Sequence, residues 1–232
     1  MMAYIDTPLF GVGLSILVYT FSSFISRRFR VKLLNPLLLT MIIIVGILLL
    51  LNIDYDIYNK GGQIITFFLG PATVVLAVPL YKQVHLLKAN LIPILTGIFV
   101  GSASGILSIL LLGKLFNLDI ILISSLVPKS TTTPIAMEIS TLIGGNASLT
   151  VTFVVIAGLS GYIMGEKVLE ISGIKNPIAK GIALGTASHA VGTAKAMEMG
   201  EIEGAMSSLS IGVAGIITVF LIPIIMWIIQ II

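Results

Sequence analysis

Two polar segments interrupt a chain that is otherwise built for hydrocarbon. The first is Val127-Pro-Lys-Ser-Thr-Thr-Thr-Pro134 and the second Gly185-Thr-Ala-Ser-His-Ala-Val-Gly-Thr-Ala-Lys195. In the first, Pro128 and Pro134 lack an N–H and cannot continue an interior helix ladder. Thr133 is pushed out of helical geometry by the proline after it. Lys129, Ser130, Thr131, Thr132 and Thr133 then offer one cation, four hydroxyls and free backbone amides, a set suited to a small carboxylate. A half-helix starting at Pro134 would aim its positive end at the same gap. The plainer alternative is a surface loop between two short helices, with Lys129 in water.

On a continuous helix the second segment places Thr186, His189 and Thr193 on one face. Ser188, Gly192 and Ala196 form an adjacent strip of small residues that permits close helix contact. The polar face is expected to line a cavity, with Ser188 counted among the binding residues. His189 could donate to a carboxylate or carry a coupling proton; otherwise it is a neutral side chain satisfied by a neighbouring carbonyl. Lys195 lies where it can snorkel. Glu138 is a second candidate for coupling, alone or paired with Lys129. In an earlier run, Gly70, Pro71 and Pro79 mark a further break, with Thr73 its only polar side chain and a further candidate for substrate binding.

These groups must be held at membrane depth. Of 232 residues, 57% are hydrophobic and 10% charged, and mean hydropathy is +1.14. Soluble domains carry about 25% charged residues. Apolar runs occur at roughly 8–26, 34–51, 63–81, 91–113, 120–143, 147–165, 178–197 and 205–231, each near the length needed to cross about 30 Å of hydrocarbon. The fold expected is therefore an all-α polytopic membrane protein with about seven transmembrane helices plus a re-entrant or broken helix. The chain, 1–232, reads as a single integral membrane domain. Asn35-Pro36 suits a helix start.

Arg27, Arg28, Arg30 and Lys32 place the first loop in the cytoplasm, with the N-terminus outside. Lys82, His85 and Lys88 return to the cytoplasm. If 120–143 crosses, Lys167, Lys175 and Lys180 fall outside, against the positive-inside rule. If it dips in and returns, they lie inside, Glu198, Glu201 and Glu203 lie outside, and the C-terminus is cytoplasmic. The re-entrant version is preferred. It also gives two three-span stretches, 34–113 and 147–231, of opposite orientation. At an offset of 115, Gly46, Gly70 and Gly97 meet Gly161, Gly185 and Gly212. Interrupted segments in two inverted halves mark transporter sites.

Other chemistry is not indicated. Cysteine is absent, so disulfides and thiolate sites are excluded. His85 and His189 are far apart, and no carboxylate stands at metal-ligand spacing, so neither a catalytic nor a metal site is expected. Gly101-Ser-Ala-Ser-Gly105 has Ala103 at its centre and is no nucleophile elbow; its glycines read as helix packing. The net charge of +3 is clustered at loops and points to orientation rather than nucleic acid. No cofactor is expected beyond a coupling proton or Na+.

The two segments, with Phe68-Leu-Gly-Pro-Ala-Thr-Val-Val-Leu-Ala-Val-Pro-Leu-Tyr-Lys82 and Gly200-Glu-Ile-Glu-Gly-Ala-Met-Ser-Ser208, resemble the LrgB/CidB family of bacterial membrane proteins over nearly the whole chain. That resemblance implies a multi-pass protein of the bacterial plasma (inner) membrane. It implies either antiholin-like modulation of murein hydrolases and lysis, or transport, since plastid relatives carry glycolate and glycerate and some bacterial relatives import pyruvate. It also implies a small LrgA/CidA-type membrane partner. The substrate expected is a small monocarboxylate, beside the lipid bilayer itself; a homo-oligomer is left open.

Overall fold

The computed structural model describes residues 6–29, 35–68, 71, 74–75, 78 and 81–231, with side chains as far as Trp227. Gly70, Thr73 and Pro79 lie outside the described residues; Pro71 is described and exposed. The described residues are helical with no strand. Four of their helices are long and apolar enough to cross a membrane: Pro8–Phe29, Leu91–Leu115, Ala147–Ile171 and Glu201–Trp227. The chain is an all-α, multi-pass membrane protein. It divides into two compact units, Met1–Val75 and Leu76–Ile232.

The first unit holds α1 (Pro8–Phe29), α2 (Pro36–Leu50) and α3 (Tyr55–Phe67). Asn35 caps α2 through its side chain, which accepts from Leu37 N at 2.7 Å, and Pro36 opens the helix. Helices α1 and α3 meet closely at Gly11 and Gly61, and the Ser15 and Tyr58 hydroxyls bond at 2.8 Å.

The second unit holds α4 (Val84–Ala89), α5 (Leu91–Leu115), α6 (Ile120–Leu126), α7 (Thr133–Leu142), α8 (Ala147–Ile171), α9 (Pro177–Met199) and α10 (Glu201–Ile231). Helices α5 and α9 start at the same end: Gly97 lies against Ile182, and Gly101 against Thr186. Helix α10 starts there too, since Ile94 and Ile98 pack with Ile178, Ala205 and Met206. Lys82 reaches Glu201 at 3.7 Å at this end. At the far end Ile106, Ile123, Val127, Ile139, Ile222 and Met226 form a second core. Helix α8 runs the other way, with Gly165 against Leu184 and Gly161 against Ser188.

Two segments enter and turn back. Helices α6 and α7 form a hairpin from the far end: Leu118 and Ile143, at its two ends, pack on one cluster. Asn146 N donates to Ser125 Oγ at 2.8 Å, across a gap a straight crossing would open to tens of ångströms. This is the re-entrant course for 120–143. Helix α9 is a second hairpin, from the near end, and here the structure departs from the full span expected for 178–197. Its helical geometry fails at Ser188 (φ −138°, ψ 19°) and His189 (φ 43°, ψ −141°). Gly185 and Thr193, eight residues apart, both touch Ser207. A straight helix would separate them by about 12 Å. Each arm is about 15 Å long, half the hydrocarbon thickness.

This second reversal returns Glu198 and Glu201 to the end that holds Lys82 and Asn176. The acidic cluster therefore shares a side with the lysines, and α10 finishes opposite them. The sequence predicts the reverse, because 178–197 reads there as a crossing. The pairing expected between 34–113 and 147–231 joins residues of both units and stays an expectation.

Candidate functional site

The two hairpins approach from opposite ends, and both tips are polar. In the first, Leu126 O accepts from Lys129 N at 3.1 Å and Pro128 O from Thr131 N at 3.1 Å. The Thr131 hydroxyl also donates to Pro128 O at 2.9 Å. The prolines thus leave two tight turns between half-helices rather than an open strand. Thr132 is the N-cap of α7, Thr133 its first residue, and Pro134 sits in its first turn, where its missing N–H costs nothing.

A cavity of about 900 Å³ runs from the starts of α5 and α9, at Asn90 and Asn176, down to the first tip. Pro128, Lys129, Ser130 and Thr131 form its floor and Thr186 part of its wall; α5 contributes Gly101, Ser102 and Gly105. Lys129 is half-buried, and its ammonium has one weak hydrogen bond, to Ser130 Oγ at 3.4 Å. Among the described residues no carboxylate lies within 4 Å of it. A cation at membrane depth costs about 2.5–3.5 kcal/mol even on forgiving scales, so its position facing a cavity asks for an anion. The Ser102 and Thr186 side chains are buried, and neither hydroxyl has a partner among the described residues.

The remaining expected residues stand elsewhere. Helix α9 has no continuous Thr186–His189–Thr193 face, because the reversal at residues 188–189 resets its register. Thr186 faces the cavity with the first arm. His189 is turned onto α8, where Nε2 donates to Val154 O at 2.8 Å and the ring rests on Gly158. Ser188 packs against Gly161. Thr193 donates to His189 O at 3.0 Å and shares a 2.7 Å bond with Ser207 Oγ. These contacts hold His189 in left-handed backbone that costs about 1–3 kcal/mol. Lys195 pairs with Glu166 at 3.0 Å and Glu198 at 3.3 Å. Glu138 is exposed on a separate groove with Pro134 and Val219, away from Lys129.

Sequence reasoning missed Ser102 and Gly105. They belong to the Gly101–Gly105 stretch, whose residues read as packing; Gly101 does pack, on Thr186, while Gly105 borders open space. No cluster of three potential metal ligands occurs among the described residues.

Comparison with known proteins supports a family assignment. The LrgB-like family profile matches residues 15–228. The chain is 43% identical over 205 residues to YxaC of Bacillus subtilis (strain 168), covering 88% of this chain and 89% of that protein. It is 42% identical over 210 residues to YwbG of the same strain, covering 90% and 93%. It is 39% identical over 226 residues to the antiholin-like protein LrgB of Bacillus cereus (strain B4264), covering 97% and 98%. No solved structure matches the chain. With a profile match over most of its length and relatives aligned nearly end to end, this two-hairpin membrane protein belongs to the LrgB-like family.

Proposed function

We propose that the second unit binds a small monocarboxylate at Lys129 and carries it across the membrane by alternating access. The observation that carries this reading is the ammonium of Lys129, with no acidic partner among the described residues, in a cavity bounded by the first hairpin tip, α5 and the first arm of α9. A carboxylate of the glycolate, glycerate, lactate or pyruvate class fits the charge. The hydroxyls of Ser130, Ser102 and Thr186 would serve its other oxygens. Broken helices that meet at mid-depth from opposite sides are a recurring transporter arrangement.

The clustering of Lys82, Lys88, Lys175 and Lys180 at one end supports a cytoplasmic position for that end under the positive-inside rule. The cavity then opens to the cytoplasm and α10 ends outside. A small LrgA/CidA-type membrane protein is the partner proposed. Whether a proton or Na+ couples to transport belongs to the same proposal; no charged group of the cavity other than Lys129 recommends one.

The antiholin-like name of the Bacillus cereus relative favours a second reading: an antiholin-like protein that modulates murein hydrolase activity and lysis without transport. Uptake of labelled lactate and pyruvate into vesicles holding the purified protein separates the two. Saturable uptake supports the carrier; none, with or without a proton gradient, supports the lysis modulator.

A further inference from the structure

The second unit contains the same substructure twice, in opposite orientations. Helices α5 and α8 have 25 residues each, so that Leu91 corresponds to Ala147 and Leu115 to Ile171. Each is followed by a left-handed residue at the same place, Asn117 (φ 51°) and Gly173 (φ 70°). The two turns close with matching bonds. Asn117 N and Leu118 N donate to Lys114 O and Gly113 O; Gly173 N and Ile174 N donate to Glu170 O and Leu169 O. Next come Asp119 and Asn176, whose side chains accept from Ile121 N at 2.7 Å and Ile178 N at 2.8 Å. Two hairpins of equal length follow, Ile120–Leu142 and Pro177–Met199, with Thr132 and His189 at corresponding reversals. Sequence keeps little of this: Ser104-Gly105 and Ser160-Gly161 are its clearest trace.

The two copies are in different states. In the second copy the long helix is closed on its hairpin tip. A Cβ at Gly161 would fall on the Ser188 side chain, and one at Gly158 would come within 2.6 Å of the His189 ring. The counterparts of Gly158, Gly161, Leu184 and Ser188 are Ser102, Gly105, Val127 and Thr131. All four line the cavity. A methyl group on Gly105 would meet no atom of the described residues within 4 Å. The small residue at position 105 therefore has no packing reason in this conformation, while its counterpart has a strict one.

We infer that the copies exchange states: α5 closes on the first tip, bringing Gly105 onto Thr131, while α8 leaves Ser188 and His189 and opens a matching cavity to the far end. The inference rests on the alternating-access reading and names the contact that would end one state and begin the other. Closing the cavity covers Ser102 and Lys129 from the lysine-bearing end. Opening α8 breaks the bond from His189 to Val154 O.

The chain has no cysteine, so introduced pairs report cleanly. In membranes, Gly105→Cys with Thr131→Cys should form a disulfide on mild oxidation, since closure brings the two Cα atoms within the roughly 7 Å a disulfide tolerates. Once the bridge forms, hydrogen exchange over residues 154–161 should rise and return on reduction. Ser102→Cys with Thr132→Cys, the counterparts of Gly158 and His189, gives an independent second pair. Failure of both pairs to bridge, in protein whose single Gly105→Cys is labelled by a thiol reagent, overturns the inference. A bridge that leaves exchange over 154–161 unchanged overturns the exchange of states. Neither readout requires transport: bridging and exchange as expected, with no lactate uptake, would sink only the carrier reading.

Discussion

The carbonyl oxygen of Leu184 lies against Gly192, close enough that a Cβ at position 192 would sit 2.7 Å from it. Eight residues separate the two, about 12 Å along a straight helix. Their contact fixes the reversal at Ser188–His189 and turns an apparent membrane span into a hairpin. Gly192→Leu should therefore prevent the arms from closing. Overpacking of this kind costs about 1–3 kcal/mol, more where backbone cannot yield. Thermal unfolding of purified protein should show a lowered midpoint or loss of folded material; a stable, unchanged Gly192→Leu protein would contradict the hairpin.

Gly161 and Gly105 make a matched pair for mutation. Gly161→Leu drives a side chain into Ser188 and should lose about 1–3 kcal/mol or more of stability. Gly105→Leu enters open space and should stay within about 0.5 kcal/mol of the parent, the range of substitutions away from packed contacts. Denaturation of the two variants side by side checks this. Equal losses would mean the cavity beside Gly105 is not open.

Helix directions give a sidedness test. Single cysteines at Lys88, Lys175 and Glu203 should all be labelled from one face of the membrane, and one at Asn117 from the other. Labelling of Glu203→Cys from the face opposite Lys175→Cys would restore 178–197 as a full crossing.

His189 is expected to act through structure. Its Nε2 bond to Val154 O and its left-handed backbone hold the second tip against α8. His189→Gln forfeits a buried hydrogen bond worth about 0.5–1.5 kcal/mol. Stability should fall by that order, while affinity for a carboxylate ligand changes less than about threefold. An affinity loss as large as that of a Lys129 variant would place His189 on the ligand after all.

Much of the candidate cavity lining was legible in sequence for a physical reason. Pro128 and Pro134 break a helix whatever surrounds them, and a lysine between them at membrane depth needs an explanation that composition alone supplies. Lys129, Ser130 and Thr131 follow from that. The second reversal has no proline. It depends on Gly158, Gly161 and Gly165 of α8 and on Ser207 of α10 accepting the folded arms, contacts that no local pattern encodes. Reading α9 as continuous then put His189 and Thr193 on the wrong face for the cavity and carried Glu198, Glu201 and Glu203 to the wrong end. Ser102 and Gly105 carry no signal in sequence because small residues in an apolar helix read as packing until the space beside them is known.

The most direct test is ligand binding at Lys129. Purified protein should be stabilised by glycolate, lactate or pyruvate, by about 2.7 kcal/mol at a hundredfold excess over Kd. Lys129→Met, which keeps the length and removes the charge, should weaken that binding about tenfold or more, as expected for losing a charge-assisted bond of about 1.5–3 kcal/mol. Its stability without ligand should not fall, since no acidic partner among the described residues is left behind. Equal stabilisation of parent and Lys129→Met by these acids, or of neither, would contradict a carboxylate site at Lys129.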